Sequence, residues 1–488
     1  MENPYNQVLY HSSPFPQAHI SRMATLGVLL GIETPDIHAC RVLEVGCNDG
    51  SHLIPMAMQF PDSQFVGIDL AELPIARATD LALELGLENI TFRVADVTQL
   101  GGQPGECDYL IAHGLYSWVP PPVQDKLLEL CSRLLSNTGV AYISYNCHPA
   151  WHVREMTRRM VRIYTAGLTD PVEIRNRAIA LLAGIYRSQS EREPYRESVR
   201  AEMERIIAKD ATLCFHDDFS DNNHPVYFSE FIKRASGYGL QFLAEAEPED
   251  MEHADFAPDM REALHGIADA VEREQFYDFL TLRGFRRTLL CRDDLVLDRS
   301  QPADRLRKLH YAAALQSNVA LTDLVTFAAT EFTAQNGSSV TVNQPFVKVV
   351  LYELSKTWPG TLSFDALLER ARTVTPLLSE TDAESMLREV LVRMYTPGLL
   401  EFSVASYPYP DAATEKPRAS KLARYQIKLG SRVTNLRHRA VEIDDPSART
   451  VLPLLDGTHN ADELRSISGV TDIETALKRL TELALLEA

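Results

Sequence analysis

The chain lacks most of the features that would take it out of the ordinary class of folded, reduced proteins. No apolar run in its 488 residues approaches the roughly 18 that a membrane span needs, so insertion into a bilayer is not expected. The opening stretch, Met1 to Tyr10, is polar and has no basic-then-apolar export pattern, which points to the cytoplasm. Seven cysteines, at 40, 47, 107, 131, 147, 214 and 291, never fall at CxxC or CxxxC spacing. An odd, irregular set argues against a disulfide framework or a zinc ribbon, and no metal site is expected. Positive charge is also scarce: 48 Lys and Arg against 67 Asp and Glu leave a net charge of −19. Such a surface repels phosphate backbones, so nucleic acid is not expected as a partner.

The chain is too long for one hydrophobic core, so two to four domains are expected. Its first legible unit is a strand, a tight turn and a helix. Arg41 to Val45 is a short apolar run, Gly46-Cys47-Asn48-Asp49-Gly50 follows at once, and Ser51 to Phe60 has helical spacing with Leu53, Ile54, Ala57 and Phe60 on one side. Phe65 to Asp69 is a second strand that ends in a carboxylate. Further strands are read at Ile90–Val94, Asp108–Ala112 and Val140–Ser144, with helical patterns between them. This is the opening of a doubly wound α/β sheet, in which a ligand sits at the carboxyl ends of the strands.

Asp69 stands 19 residues after Gly50, where a carboxylate can accept from both hydroxyls of a ribose. A nicotinamide nucleotide is the obvious rival ligand. The turn, however, is GxxxG and not the GxGxxG that a pyrophosphate-binding helix start requires. An acid, Glu44, also stands two residues before the first glycine, which suits a cationic ligand better than a phosphate. The segment resembles the E-x-G-x-G-x-G motif of class I S-adenosylmethionine-dependent methyltransferases, with Asn48 in place of the middle glycine. The resemblance implies S-adenosyl-L-methionine as cofactor, with Gly46 and Gly50 along its methionine portion, Asp69 on the ribose and Asp96 at the adenine amino group. Glu44, Asn48, Leu70, Val97 and His113 complete the expected cofactor contacts within the sheet. Each acid has a plainer reading as a turn or helix-cap residue.

Beyond the fourth and fifth strands the sequence is rich in rings: His113 to Pro120 (HGLYSWVP) and Tyr145 to Trp151 (YNCHPAW). Aromatic faces stabilise a cationic amine, and a dry pocket lowers the pKa of a lysine. Tyr116, Trp118, Tyr145 and His113 are therefore the candidate catalytic residues, with packing of the sheet edge as the alternative reading. HGLYSWVP and YNCHPAWHVREM are similar to phrases of bacterial methyltransferases that carry a regulatory domain, a group that includes the rickettsial-type protein lysine methyltransferases. Residues 10–15 match that family's cap over the cofactor, which adds Tyr10 and Ser12 to the expected contacts. Residues 216–219, 223–228 and 285–291 match as well, while Ala150 stands where the family has glycine.

The expected fold is a Rossmann-like class I methyltransferase sheet (1–151) with a helical insertion (152–221) that serves as a lid or for dimerisation. Residues 222–295 complete the sheet with a sixth and seventh strand. Winged-helix-like, mainly helical domains follow at 300–406 and 421–488, separated by a polar, proline-rich linker, 407–420. The activity implied is N-methylation of protein or peptide side chains, lysine first, by a protein that could be a homodimer. A small-molecule methyltransferase and a non-catalytic, cofactor-binding regulator are the alternatives.

Overall fold

The computed structural model describes residues 12–487 except 102–104, 169, 189–193, 210–217, 219–221, 248–249, 252–255, 301–302, 319–320, 335–336, 377 and 396. Tyr10 and His11, and His216, Asp217 and Phe219 of the matching segments, lie outside the described residues.

Seven strands form one sheet: β1 (Arg41–Val45), β2 (Gln64–Asp69), β3 (Ile90–Val94), β4 (Cys107–Ala112), β5 (Leu135–Asn146), β6 (Leu240–Glu245) and β7 (Phe285–Arg292). Their order is β3-β2-β1-β4-β5-β7-β6. The first five are parallel, and β7 runs antiparallel between β5 and β6. Val42 to Val45 are all buried because both faces of the sheet are covered, which is why β1 reads as a continuous apolar run and not as an alternation. The chain winds outward from β1 through β2 to β3, then returns to place β4 on the other side. That reversal opens a crevice above the carboxyl ends of β1 and β4.

Helix α1 (Ile20–Leu29) precedes the sheet; α2 (Leu53–Gln59) and α3 (Glu72–Leu85) follow β1 and β2. Gly86 ends α3 in the left-handed conformation, at φ 74°, the usual way for glycine to close a helix. Helix α4 (Pro121–Leu134) covers the opposite face, and its Leu127, Leu130 and Leu134 pack on Ala141 and Ile143 of β5. Three helices, α5 (Trp151–Tyr164), α6 (Pro171–Ser188) and α7 (Pro194–Ala208), stand beside the sheet around a small core of Val161, Leu182, Val199 and Met203. Asp170 caps α6, its Oδ1 accepting the Val172 N–H at 3.0 Å. Helix α8 (Phe228–Ser236) leads into β6, and the segment between β6 and β7 folds as two helices, α9 (Pro258–His265) and α10 (Ala270–Thr281). Gly266 closes the first and Asp269 caps the second, so the break follows from local sequence.

The remaining residues form a middle unit and a C-terminal unit. In the middle unit a strand, His310–Ala312, pairs with Leu362–Ser363 and Glu401–Ser403 against helices Pro345–Thr357, Phe364–Val374 and Glu380–Tyr395. Its core is continuous with one face of the sheet through α1, where the Ser21 and Ser403 hydroxyls meet at 2.8 Å. The C-terminal unit has a separate core, including Leu455, Leu464, Leu477 and Leu485, and a hairpin of Arg432–Thr434 with Ala440–Glu442. The expected linker is not a free tether. Tyr407 is buried, the Tyr409 hydroxyl donates to the Leu436 carbonyl at 3.0 Å, and Arg418 and Ala419 bridge to Asp456 and Leu486. Its tyrosines bury ring area that a count of prolines and polar residues overlooks. Among the described residues no helix is long and apolar enough to cross a membrane.

Candidate active site

The turn after β1 gathers acids that the protein does not pair. Glu44 is 3% exposed, and its Oε2 has no hydrogen-bond partner among the described residues. Burial, then the nearby charges of Asp69 and Asp49, hold its carboxyl well above the usual range. Asp69 is aimed by the backbone: Oδ2 accepts the Asn48 N–H at 3.0 Å and Oδ1 accepts that of Ala71 at 2.9 Å. Each oxygen keeps lone-pair capacity toward the crevice. Gly46 adopts φ 79°, and an added Cβ there would meet nothing nearer than the Leu115 side chain at 3.6 Å. A ligand bringing a cation toward Glu44 and a diol toward Asp69 fits this cradle. Leu70, 57% exposed beside Asp69, offers an apolar surface for a flat ring.

Gly50 is also required by packing. Its φ is 72°, and a Cβ there would sit 2.6 Å from the Phe92 ring, so the residue is small for packing under the turn. The Asp96 Oδ1 caps the short turn Val97–Gln99 by accepting from the Thr98 N–H and Oγ–H, both at 2.8 Å. Val97 is buried in the core beneath it.

An N-terminal strap closes over the turn. The Asn48 amide donates to the Ser12 Oγ at 3.0 Å, and the Phe15 N–H donates to His52 Nδ1 at 3.1 Å. His52 Nδ1 also lies 2.8 Å from Nε2 of His438, at the tip of the C-terminal hairpin. Since that Nδ1 already accepts from Phe15, His438 must be the donor and both rings neutral. Burial holds both pKa values well below the ordinary 6.5. His19, its ring centroid 4.8 Å from that of His438, is likewise pushed down by burial to about 4.

The acceptor side differs from the sequence expectation. Tyr116 and Tyr145 are buried in the core with Phe231, at ring centroid distances of 5.1 and 4.2 Å. The Tyr116 hydroxyl has no partner among the described residues. That of Tyr145 meets the Thr288 Oγ1 at 3.0 Å, and Thr288 donates onward to Glu245 at 2.8 Å. Its proton is thus committed to the fold. Trp118 and Trp151 stand edge to face at 6.3 Å, and the protein supplies their cations: Arg158 lies 5.4 Å from the Trp118 ring and Arg154 5.4 Å from that of Trp151. These four rings therefore serve packing in this structure. His113 follows the carboxyl end of β4, at the crevice. Its Nδ1 is 2.9 Å from the Tyr142 hydroxyl, its ring stacks on Phe15 at 3.8 Å, and burial pushes its pKa down to about 3.

Sequence reasoning missed Phe15 and Phe285 as wall residues. Phe285 opens β7 opposite Asn146, at the carboxyl end of β5, 6.1 Å from the His113 ring. It missed Arg286 as well. This wholly buried guanidinium bonds Glu245 at 2.7 Å, Asp278 at 2.8 Å and Glu274 at 3.2 Å. The arginine-rich start of β7 was the available signal, because an arginine inside a strand buried on both faces needs carboxylates around it.

Three family models match parts of the chain: a methyltransferase domain over residues 42–139, a predicted methyltransferase regulatory domain over 210–292, and the C-terminal winged helix domain of PKMT over 415–468. The uncharacterized protein RP789 of Rickettsia prowazekii (strain Madrid E) is 30% identical over 453 residues, which covers 91% of this chain and 81% of that protein. Among solved structures, PKMT2 from Rickettsia typhi in complex with AdoHcy superposes with a TM-score of 0.89 at 25% identity, covering 98% of this chain and 99% of that one. A second structure of PKMT2 gives 0.88 at 24% identity, with the same coverage.

Proposed function

The chain belongs to the S-adenosylmethionine-dependent methyltransferases of the rickettsial PKMT type, with regulatory and winged-helix domains, and we propose that it methylates lysine side chains of a protein. The observation that carries this reading is the likeness to PKMT2 along nearly the whole of both chains, including the parts outside the cofactor sheet. A small-molecule enzyme has no need of the middle and C-terminal units, whereas a protein substrate offers them something to hold.

Bound at the turn, S-adenosylmethionine supplies a methyl group on a sulfonium. Glu44 provides negative charge toward that cationic ligand, Asp69 accepts from the ribose hydroxyls, and Leu70 covers the adenine. Asp96 reaches the adenine amino group with its Oδ2, since Oδ1 serves the cap. The Ser12–Asn48 contact holds the strap down, which excludes water from the reacting atoms. His113 is neutral and forms part of the wall with Phe15 and Phe285, so it orients the amine more than it deprotonates it. The apolar wall itself favours an uncharged lysine, and a lysine that loses its proton on leaving water needs no strong base.

Domain boundaries at 151/152, 221/222, 295/300 and 406/421 suit this division of labour, with cofactor and chemistry in the sheet and substrate grip in the C-terminal units. The outer surface of α5 and the start of α6, with Ile163 and Val172 exposed at 71% and 63%, would join two copies in a homodimer. Buried, unpaired thiols such as Cys40 and Cys131 suit a reducing, cytoplasmic setting. Incubation with methyl-labelled cofactor and a proteome, followed by hydrolysis, tests the reading. Label in methyllysine is expected. Label only in small molecules, or in no product while the cofactor binds, would overturn it.

A further inference from the structure

On the α1 side of the sheet, away from the donor turn, the chain encloses a second cavity of about 310 Å³ between α1, the α9–α10 pair and the middle unit. None of the residues that hold the cofactor turn lines it. Its floor is apolar, with Leu26, Leu29 and Leu30 from the end of α1 facing Tyr277 of α10 and Phe402 of the middle unit. The volume falls in the range of small-molecule sites. Protein interiors rarely leave such a space empty, and a leucine-lined one does not hold water well.

The wall of this cavity carries two cations without counter-ions. Arg299 donates only to backbone carbonyls, those of Leu243 at 2.9 Å and Phe242 at 2.7 Å, and Arg273 donates to that of Ile267 at 2.9 Å. Neither makes an ion pair among the described residues. The one acid in the lining, Glu274, is already bonded to Arg286. Burial presses the Arg299 pKa downward, and neither Cys291 nor Glu274 offsets it fully, so an anion would relieve it. We propose that this cavity binds an amphipathic carboxylate, an acyl chain whose tail lies on the α1 leucines and whose head group is held by Arg273 and Arg299.

Isothermal titration of the full-length chain with decanoate, below its micellar concentration, tests the proposal, with decyltrimethylammonium as the matched cation. Decanoate is expected to bind and the cation is not. Arg273→Gln should weaken decanoate by about tenfold or more, the loss of one charge-assisted contact. Val392, a lining residue 37% exposed, tolerates a larger side chain, and Val392→Trp should block the site outright. Equal binding of cation and anion, unchanged binding by Val392→Trp, or no binding of decanoate would each overturn it.

Discussion

The two halves of the active-site crevice treat buried acids in opposite ways. On the donor side Glu44 and Asp69 lie at a turn and make no salt bridge among the described residues, and Glu44 keeps an orphaned oxygen. On the acceptor side Glu245, Asp278 and Glu274 converge on the buried Arg286, with Arg283 beside Asp278 and Glu274, and burial lifts Glu274 only to about 7. The difference separates a site from a scaffold. Acids left without a partner are waiting for a ligand's charge, whereas acids with a full complement of partners are holding β6, β7 and α10 together.

The sharpest way to break that comparison is to remove a charge from each side. Arg286→Ala would leave Glu245 without its ion pair and Asp278 and Glu274 with Arg283 alone, and should cost about 3–5 kcal/mol of stability, read from a denaturant midpoint. Glu44→Gln should leave the ligand-free chain as stable or slightly more so, since it removes a buried charge that the fold does not pair. If both changes destabilised equally, the distinction would fail.

A second contrast is between the two glycines of the turn. Gly50→Ala forces a Cβ to within 2.6 Å of Phe92 at a positive φ, and should cost about 1–3 kcal/mol. Gly46→Ala meets only ordinary contact with the Leu115 side chain, so it is mainly its left-handed backbone that is strained, by about 1–2 kcal/mol, and its larger effect should be on cofactor affinity. Thermal melts with and without cofactor distinguish the two.

The histidine contact between strap and hairpin predicts a pH dependence. Rings kept neutral in the folded chain resist protons that the unfolded chain accepts below about 6.5. The fold is therefore at full strength above that pH and loses stability as pH falls toward 4, where His19 itself titrates. The raised Glu44 and Glu274 work in the opposite direction. The test is accordingly a difference: His438→Gln should flatten the fall in melting temperature between pH 6.5 and 4, and an unchanged slope would remove the contact from the account. The smallest effect is expected of Tyr116→Phe. Deleting a buried hydroxyl that has no partner should leave turnover unchanged and stability level or slightly raised; a large fall in turnover would return Tyr116 to the chemistry.

The sequence carried the sheet and the donor turn because both are local. Strands buried on two faces read as apolar runs, and the acids and glycines of the turn lie within a few residues of one another. The acceptor side was misread because its partners are distant in sequence. Nothing around Tyr145 announces Thr288, and nothing in HGLYSWVP shows that Arg158 will cover Trp118. His52 and His438 are 386 residues apart, so only the fold can bring them together. The crowding of Gly50 against Phe92 was not legible, because the motif marks the need for a glycine but not which side of it is crowded.

The most direct test of the central claim is titration calorimetry with S-adenosylhomocysteine on the wild-type chain and on Asp69→Ala. The account predicts saturable binding by the first, loss of about a hundredfold or more in the second from two missing charge-assisted hydrogen bonds, and an unchanged fold by circular dichroism. Equal binding by both proteins would contradict it, because the turn after β1 would then not be where the cofactor is held.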